Sequence, residues 1–251
     1  MTQPPAPPRL PGYYLAAVVP ASLRGGLCLW CRTPIEGPYR LCYKCNRART
    51  LPQARPDNIG FASYAIKGQQ AAVEMYRYKD THQPSAQALG NVWLLLNHAV
   101  RHLGCVGRLV GAGIDAVAVV PSRTHHVPGR QTPLQYLCSQ TFPPGLPALA
   151  LQPAPGSSSD RHVRADAFTA TGTSGFSHVL VVDDTWVSGG TVLSAVATLK
   201  AAGVRHISVL ALARWLDPTY GPTSTLIRNV NQAWITPQAA CPFTLDGTCP
   251  K

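Results

Sequence analysis

Residues 179–191 read Val-Leu-Val-Val-Asp-Asp-Thr-Trp-Val-Ser-Gly-Gly-Thr, and no other stretch constrains the fold as tightly. Its four leading apolar residues predict a buried strand over 178–182. Two adjacent carboxylates, Asp183 and Asp184, follow at the strand's carboxyl end. A loop with Ser188, Gly189, Gly190 and Thr191 then opens a predicted helix over 190–202. Apolar runs at 114–120, 148–151 and 207–212 predict further strands, and helical spacing marks 85–103 (closed by Gly104) and 132–140. Residues 59–66 and 71–78 flank Lys67-Gly68 and predict a hairpin. The weakly patterned stretch 153–177 predicts a long loop, and Trp234 and Ile235 a last short strand. Strands alternating with helices imply an α/β fold, a mostly parallel sheet with helices on both faces.

In open sheets of this kind ligands bind beyond the carboxyl ends of the strands, so chemistry is expected just after Val120 and Val182. Gly189 and Gly190 let backbone N–H groups approach a ligand without a Cβ in the way. The helix N-terminus behind them offers unpaired N–H groups and a partial positive charge, which favour a phosphate, and Ser188 and Thr191 add hydroxyl donors. Carboxylates would repel that phosphate, so Asp183 and Asp184 need a different partner; a vicinal ribose diol donates two hydrogen bonds and fits. The combined site reads as one for a sugar phosphate. Asp183-Asp184 is the only adjacent acidic pair among eleven acids, and ordinary helix capping explains one acid or one hydroxyl but not the whole ordered set. No Gly-Lys-Ser/Thr occurs, which excludes a P-loop; Gly111-Ala112-Gly113 lacks a third glycine and precedes a strand, which argues against a dinucleotide site.

Four of the eight cysteines form two knuckles, Cys28-x2-Cys31 and Cys42-x2-Cys45, spaced to surround one tetrahedral Zn²⁺. The turn-rich stretch between them is too short for a core of its own, so metal binding is expected to supply most of its folding energy. Four protein ligands leave no open position for water, which makes the zinc structural. A redox Cys-x-x-Cys would be expected in a βαβ context, which is missing here. Cys105, Cys138, Cys241 and Cys249 show no knuckle spacing and read as buried or idle thiols, with Cys241 and Cys249 able to pair on oxidation.

The chain of 251 residues carries a formal +11. Residues 1–60 hold Arg9, Arg24, Arg32, Arg40, Lys44, Arg47, Arg49 and Arg55 against only Glu36 and Asp57. Such a basic module either touches phosphate, nucleic acid included, or simply balances a thiolate cluster. No apolar run reaches membrane-spanning length and no secretory h-region opens the chain, so a soluble cytoplasmic protein is expected. The organisation reads as a Pro-rich lead-in over 1–27, loose at least to residue 14, a zinc-ribbon module over 28–55 and one α/β domain over 56–251. The oligomeric state stays open, a homodimer included.

The 179–191 segment resembles the 5-phosphoribosyl-1-pyrophosphate (PRPP) motif of type I phosphoribosyltransferases. With Cys28, Cys31, Cys42 and Cys45 in front, the chain is similar to the ComF family, a zinc ribbon fused to a type I phosphoribosyltransferase-like domain. Val119-Val120-Pro121-Ser122-Arg123, with Gly129-Arg130 beyond, resembles that family's pyrophosphate loop, and Arg161, Arg164 and Phe168 its Arg-containing flexible loop. The resemblance implies Mg²⁺-PRPP as ligand, with Asp183 and Asp184 on the ribose diol and Val187, Ser188, Gly189, Gly190 and Thr191 on the 5′-phosphate. It implies Ser122, Arg123 and Arg130 on pyrophosphate, with Arg123 assisting its departure alongside Mg²⁺. Transfer of the phosphoribosyl group to an unassigned acceptor would follow. As the alternative, it also implies a competence protein of DNA uptake, in which the basic module holds single-stranded DNA with Trp30, Tyr39 and Tyr43 available for stacking and the pocket acts as a sensor. Two positions depart from the pattern: Trp186 stands where the family has a small aliphatic residue, and Val187 where many purine-using relatives carry an acidic base.

Overall fold

The computed structural model describes residues 9–80, 83, 85–121, 130–155 and 162–251, with Arg24 and Gly25 described by their backbone alone. Ser122, Arg123, Gly129 and Arg161 therefore lie outside the described residues. The elements in chain order are β1 (Leu15–Ala16), α1 (Tyr43–Arg49), β2 (Asn58–Ile66), α2 (Gln70–Arg77), α3 (Ala86–Val100), α4 (Leu103–Val110) and β3 (Ala116–Val119). They continue as α5 (Pro133–Thr141), β4 (Ala148–Pro153), β5 (Phe168–Thr171), β6 (His178–Trp186), α6 (Gly190–Ala201), β7 (His206–Leu216) and α7 (Thr223–Ala233).

The strands form one seven-stranded sheet in the order β1-β2-β7-β6-β3-β4-β5. The five inner strands run parallel, and β1 and β5 close the edges antiparallel. Alternation along β6 divides the core into two layers. Val179 and Val181 pack with Leu193 and Leu226 on one face, while Leu180 and Val182 pack with Val92, Leu96 and Leu137 on the other; Trp186, at the strand's end, departs from the alternation and joins the first layer with Phe61. The expected α/β architecture with helices on both faces is the one observed.

Several local expectations fail, each for a definable reason. Residues 71–78 are not a hairpin strand but most of α2: the buried residues Ala71, Ala72, Glu74 and Met75 follow a helical stripe, and Ala, Gln, Glu and Met favour helix. Gly104 does not end a helix; α3 stops at Val100 and Gly104 lies inside α4, which Gly111 closes at φ 78°. The 153–177 stretch contains β5, an edge strand paired with β4. Trp234 and Ile235 form no strand: Trp234 caps α7 in the left-handed region, and the Ile235 carbonyl accepts the Ala16 N–H at 2.7 Å. Residues 10–14 are not loose, since Leu10 and Tyr14 are buried.

Glu74 is what ties that opening segment down. Its carboxylate accepts the hydroxyls of Tyr13 and Tyr14, each at 2.6 Å, and the amides of Asn91 at 2.9 Å and Gln70 at 3.2 Å. Burial alone would raise its pKa, but these donors outweigh it and hold the carboxyl below its ordinary value. Glu74→Ala leaves the buried Tyr14 hydroxyl and the part-buried Tyr13 hydroxyl without their acceptor and is expected to cost about 2–3 kcal/mol in urea unfolding. The folded-state pKa lies below the unfolded one, so this stability is fully present above the ordinary carboxylate range. It is lost as pH falls through the folded value. Glu74→Gln should remove that pH dependence; a variant with the wild-type acid slope would show that other carboxylates carry it.

Candidate functional site

Strand order places a crevice. From β3 the chain crosses to β4 on one side, whereas from β6 it crosses to β7 on the other, so adjacent β3 and β6 are where the direction of winding reverses. Open α/β sheets bind ligands beyond the carboxyl ends of such a pair. Val119 is opposite Val182, and the Val120 N–H donates to the Val182 carbonyl at 2.8 Å. The strand register thus brings Val120-Pro121 beside Asp183.

β6 runs past the apolar residues to Trp186, so Asp183 and Asp184 sit within its last turns of pleat, both half-buried. Asp183 Oδ1 accepts the Asp184 N–H at 2.9 Å. Asp184 Oδ2 accepts the Tyr78 hydroxyl at 2.8 Å and pairs with Lys79 Nζ at 2.7 Å. Burial, then the charge of Asp184, raises the Tyr78 pKa well above its ordinary value, so Tyr78 remains a donor. Its partners fix the Asp184 carboxylate and leave Oδ1 without a hydrogen bond among the described residues. Tyr78 and Lys79 were not legible as site residues, because their placement depends on α2 being a helix that ends beside β6.

The loop after the strand is shaped by Trp186, which is 1% exposed and stacks edge-on against Phe61 with centroids 5.5 Å apart. Gly189 passes over the indole at φ 82°, and a Cβ there would stand 2.4 Å from Trp186 Cζ2. Gly189 is also the N-cap of α6, with Gly190 its first residue and Thr191 in its first turn. Val187 and Ser188 border a cavity of about 490 Å³ shared with Tyr43, Lys67, Tyr76 and Trp215. Arg130 lines a different cavity, of about 550 Å³, beside α5 and β4.

The four knuckle cysteines converge. Their Sγ atoms all lie within 4.8 Å of one another, and Cys31 and Cys42 are 3.7 Å apart. A disulfide needs about 2.05 Å, whereas sulfurs bound at about 2.3 Å around a tetrahedral ion are about 3.8 Å apart. The cluster can therefore hold a metal such as zinc. The surrounding thiols of Cys28, Cys42 and Cys45 hold Cys31 well below the usual thiol range despite its burial, and Arg214 acts in the same direction.

Two buried arginines fasten this module to the sheet. Arg214, on β7, donates to the carbonyls of Cys31 (2.5 Å), Trp186 (3.2 Å) and Val187 (3.4 Å) and to the Thr33 hydroxyl. One side chain thus joins the cysteine cluster to the glycine loop. Arg32, at φ 57° and 1% exposed, donates to the carbonyls of Ala17, Pro242 (3.1 Å) and Thr244 (3.2 Å) and lies over the Phe61 ring. Burial lowers it to about 10, still charged at neutral pH. It is therefore not part of any basic surface, whereas Arg40, Lys44, Arg47 and Arg49 are exposed.

Among the described residues no helix is long and apolar enough to cross a membrane. No protein-family model and no curated protein matches the chain.

Proposed function

We propose that the chain is a phosphoribosyltransferase-type protein of the ComF kind, binding Mg²⁺-PRPP or a ribose 5-phosphate ligand beyond β3 and β6. The observation that carries the reading is the position of Asp183-Asp184 at the reversal of strand order, with four residues between Asp184 and a glycine-capped helix N-terminus. Asp183 and Asp184 accept the ribose 2′- and 3′-hydroxyls, and the backbone of 187–191 with Ser188 and Thr191 holds the 5′-phosphate. The half-buried carboxylates also suit Mg²⁺, a hard cation that takes oxygen ligands and draws negative charge from pyrophosphate. As pyrophosphate leaves C1, positive charge develops on the ribose ring, and the carboxylates beneath it stabilise that charge. Ser122, Arg123 and Arg130 are assigned to pyrophosphate by resemblance. The four-cysteine cluster holds a structural zinc.

Calorimetric titration of Mg²⁺-PRPP into wild type and the Asp183→Asn/Asp184→Asn variant tests this. Binding in wild type and its loss in the variant is the expected result. Absent binding to wild type, or equal binding to both, overturns it.

A second reading, single-stranded DNA held by the cysteine module, is favoured by one observation. Tyr39 and Tyr43 are 69% and 75% exposed, and the Arg47 guanidinium lies 5.8 Å from the Tyr43 ring. Affinity should then fall steeply with salt and with Arg47→Ala/Arg49→Ala. Salt-insensitive or absent binding removes this reading.

A further inference from the structure

We propose that His102, Cys105, Cys241 and Cys249 form a second, structural zinc site that clamps the C-terminal segment to the start of α4. Their ligand atoms all lie within 4.8 Å of one another, although the two halves are separated by most of the chain. His102 Nδ1 stands 3.7 Å from Cys105 Sγ and 3.5 Å from Cys249 Sγ. Around a tetrahedral Zn²⁺, with Zn–S about 2.3 Å and Zn–N about 2.0 Å, nitrogen and sulfur ligands are about 3.5 Å apart. The imidazole nitrogen therefore sits at the edge length a shared ion requires. A disulfide between any two of the cysteines would leave the third thiol and the imidazole unexplained, and all three are unbridged.

Both halves are built to present ligands. His102 is the N-cap of α4 and Cys105 lies in its first turn, so the two side chains share one face of the helix. On the other side the Cys241 N–H donates to the Gly247 carbonyl at 2.7 Å, folding the chain so that Cys249 returns beside Cys241. Gly247 permits this at φ 79°, where a Cβ would stand 2.8 Å from Val18. Contacts on either side position the segment: His98 Nε2 lies 2.9 Å from the Ala240 carbonyl, and Arg108 Nε donates to the Pro250 carbonyl at 3.1 Å.

The chemistry selects the ion. Three thiolates and an imidazole suit zinc, and four protein ligands close its coordination. The complex would carry one net negative charge, and Arg108 Nη2, at 3.6 Å from Cys105 Sγ, supplies a neighbouring cation. Cys105 and Cys241 are buried while Cys249 is exposed, which gives the ion an entry from solvent. The stretch from Cys241 to Lys251 has neither helix nor strand, so a metal has structure to add there.

Zinc per chain, measured by mass spectrometry on full-length protein purified under reducing conditions, is the test. Two equivalents are expected in wild type. Cys249→Ser, at an exposed position with little folding risk, and His102→Gln should each lose one equivalent while Cys28, Cys31, Cys42 and Cys45 keep theirs. Substitution with Co²⁺ should show the thiolate charge-transfer band falling by the corresponding share. Unchanged metal content in both variants overturns the proposal, as does a Cys241–Cys249 disulfide in protein that lacks the second equivalent.

Discussion

If the four-cysteine cluster holds the proposed zinc, its chelation, or Cys28→Ser, is expected to lower the thermal midpoint by about 10 °C and to loosen the 187–189 loop as well as residues 28–45. Zinc supplies roughly 10–16 kcal/mol of apparent folding free energy in small zinc modules, more than a short turn-rich stretch can replace. The damage should extend further because the module shares the core of the sheet: Leu27, Cys28, Cys31, Cys45 and Ala48 are buried in one cluster with Trp186 and Val209. Arg214 would lose its Cys31 and Thr33 partners while remaining bound to the Trp186 and Val187 carbonyls. Each buried polar group left unsatisfied costs about 1–3 kcal/mol. A loss of about 3–5 kcal/mol in the sheet at about 2–4 °C per kcal/mol gives the stated shift for a chain of this size. Calorimetry with limited proteolysis reads it, and Mg²⁺-PRPP titration reads the loop. Arg214→Met should reproduce the weakened ligand affinity with the metal retained. Unchanged affinity in both variants would mean that Arg214 transmits nothing from the cluster to the loop.

The sheet was legible because its inner strands are short apolar runs bounded by turns, and the carboxylate–glycine order was legible because it is contiguous. What escaped depends on contacts between distant segments or on weak formers. α7 carries Thr223, Leu226, Ile227 and Val230 on one buried stripe, but Thr, Ser and Asn dilute the signal. α2 was read in the wrong period because Lys67-Gly68 looks like a hairpin turn, and with it went the placement of Tyr78 and Lys79 against Asp184. Eight basic residues looked alike in sequence, yet Arg32 turns inward, paired with three carbonyls and an aromatic face instead of with solvent. His102-x2-Cys105 and Cys241-x7-Cys249 are each uninformative alone; only the fold brings them together.

Gly189→Ala is expected to destabilise the protein by about 2–5 kcal/mol and to abolish ligand binding at the proposed phosphate loop. Trp186 explains both effects. At a position where a small aliphatic residue was expected by resemblance, the indole turns inward, packs on Phe61 and fills the space directly beneath the loop. A methyl group on residue 189 would come within 2.4 Å of Cζ2 and 2.7 Å of Cε2, and the indole, fully enclosed, has nowhere to move. Overpacking of that kind costs about 1–3 kcal/mol, and an L-residue held at φ 82° adds about 1–2 kcal/mol. Relief by raising the backbone would displace the Gly189 carbonyl, which accepts the Leu193 N–H at 2.9 Å, and would unwind the first turn of α6 where the phosphate is proposed to bind. The clash and the backbone strain can be separated by a double-mutant cycle with Trp186→Leu. The smaller side chain should recover the overpacking share in the Gly189→Ala background and leave the left-handed cost in place. A coupling energy near zero would mean that Trp186 does not shape the loop, and that the glycine is needed for its backbone conformation alone.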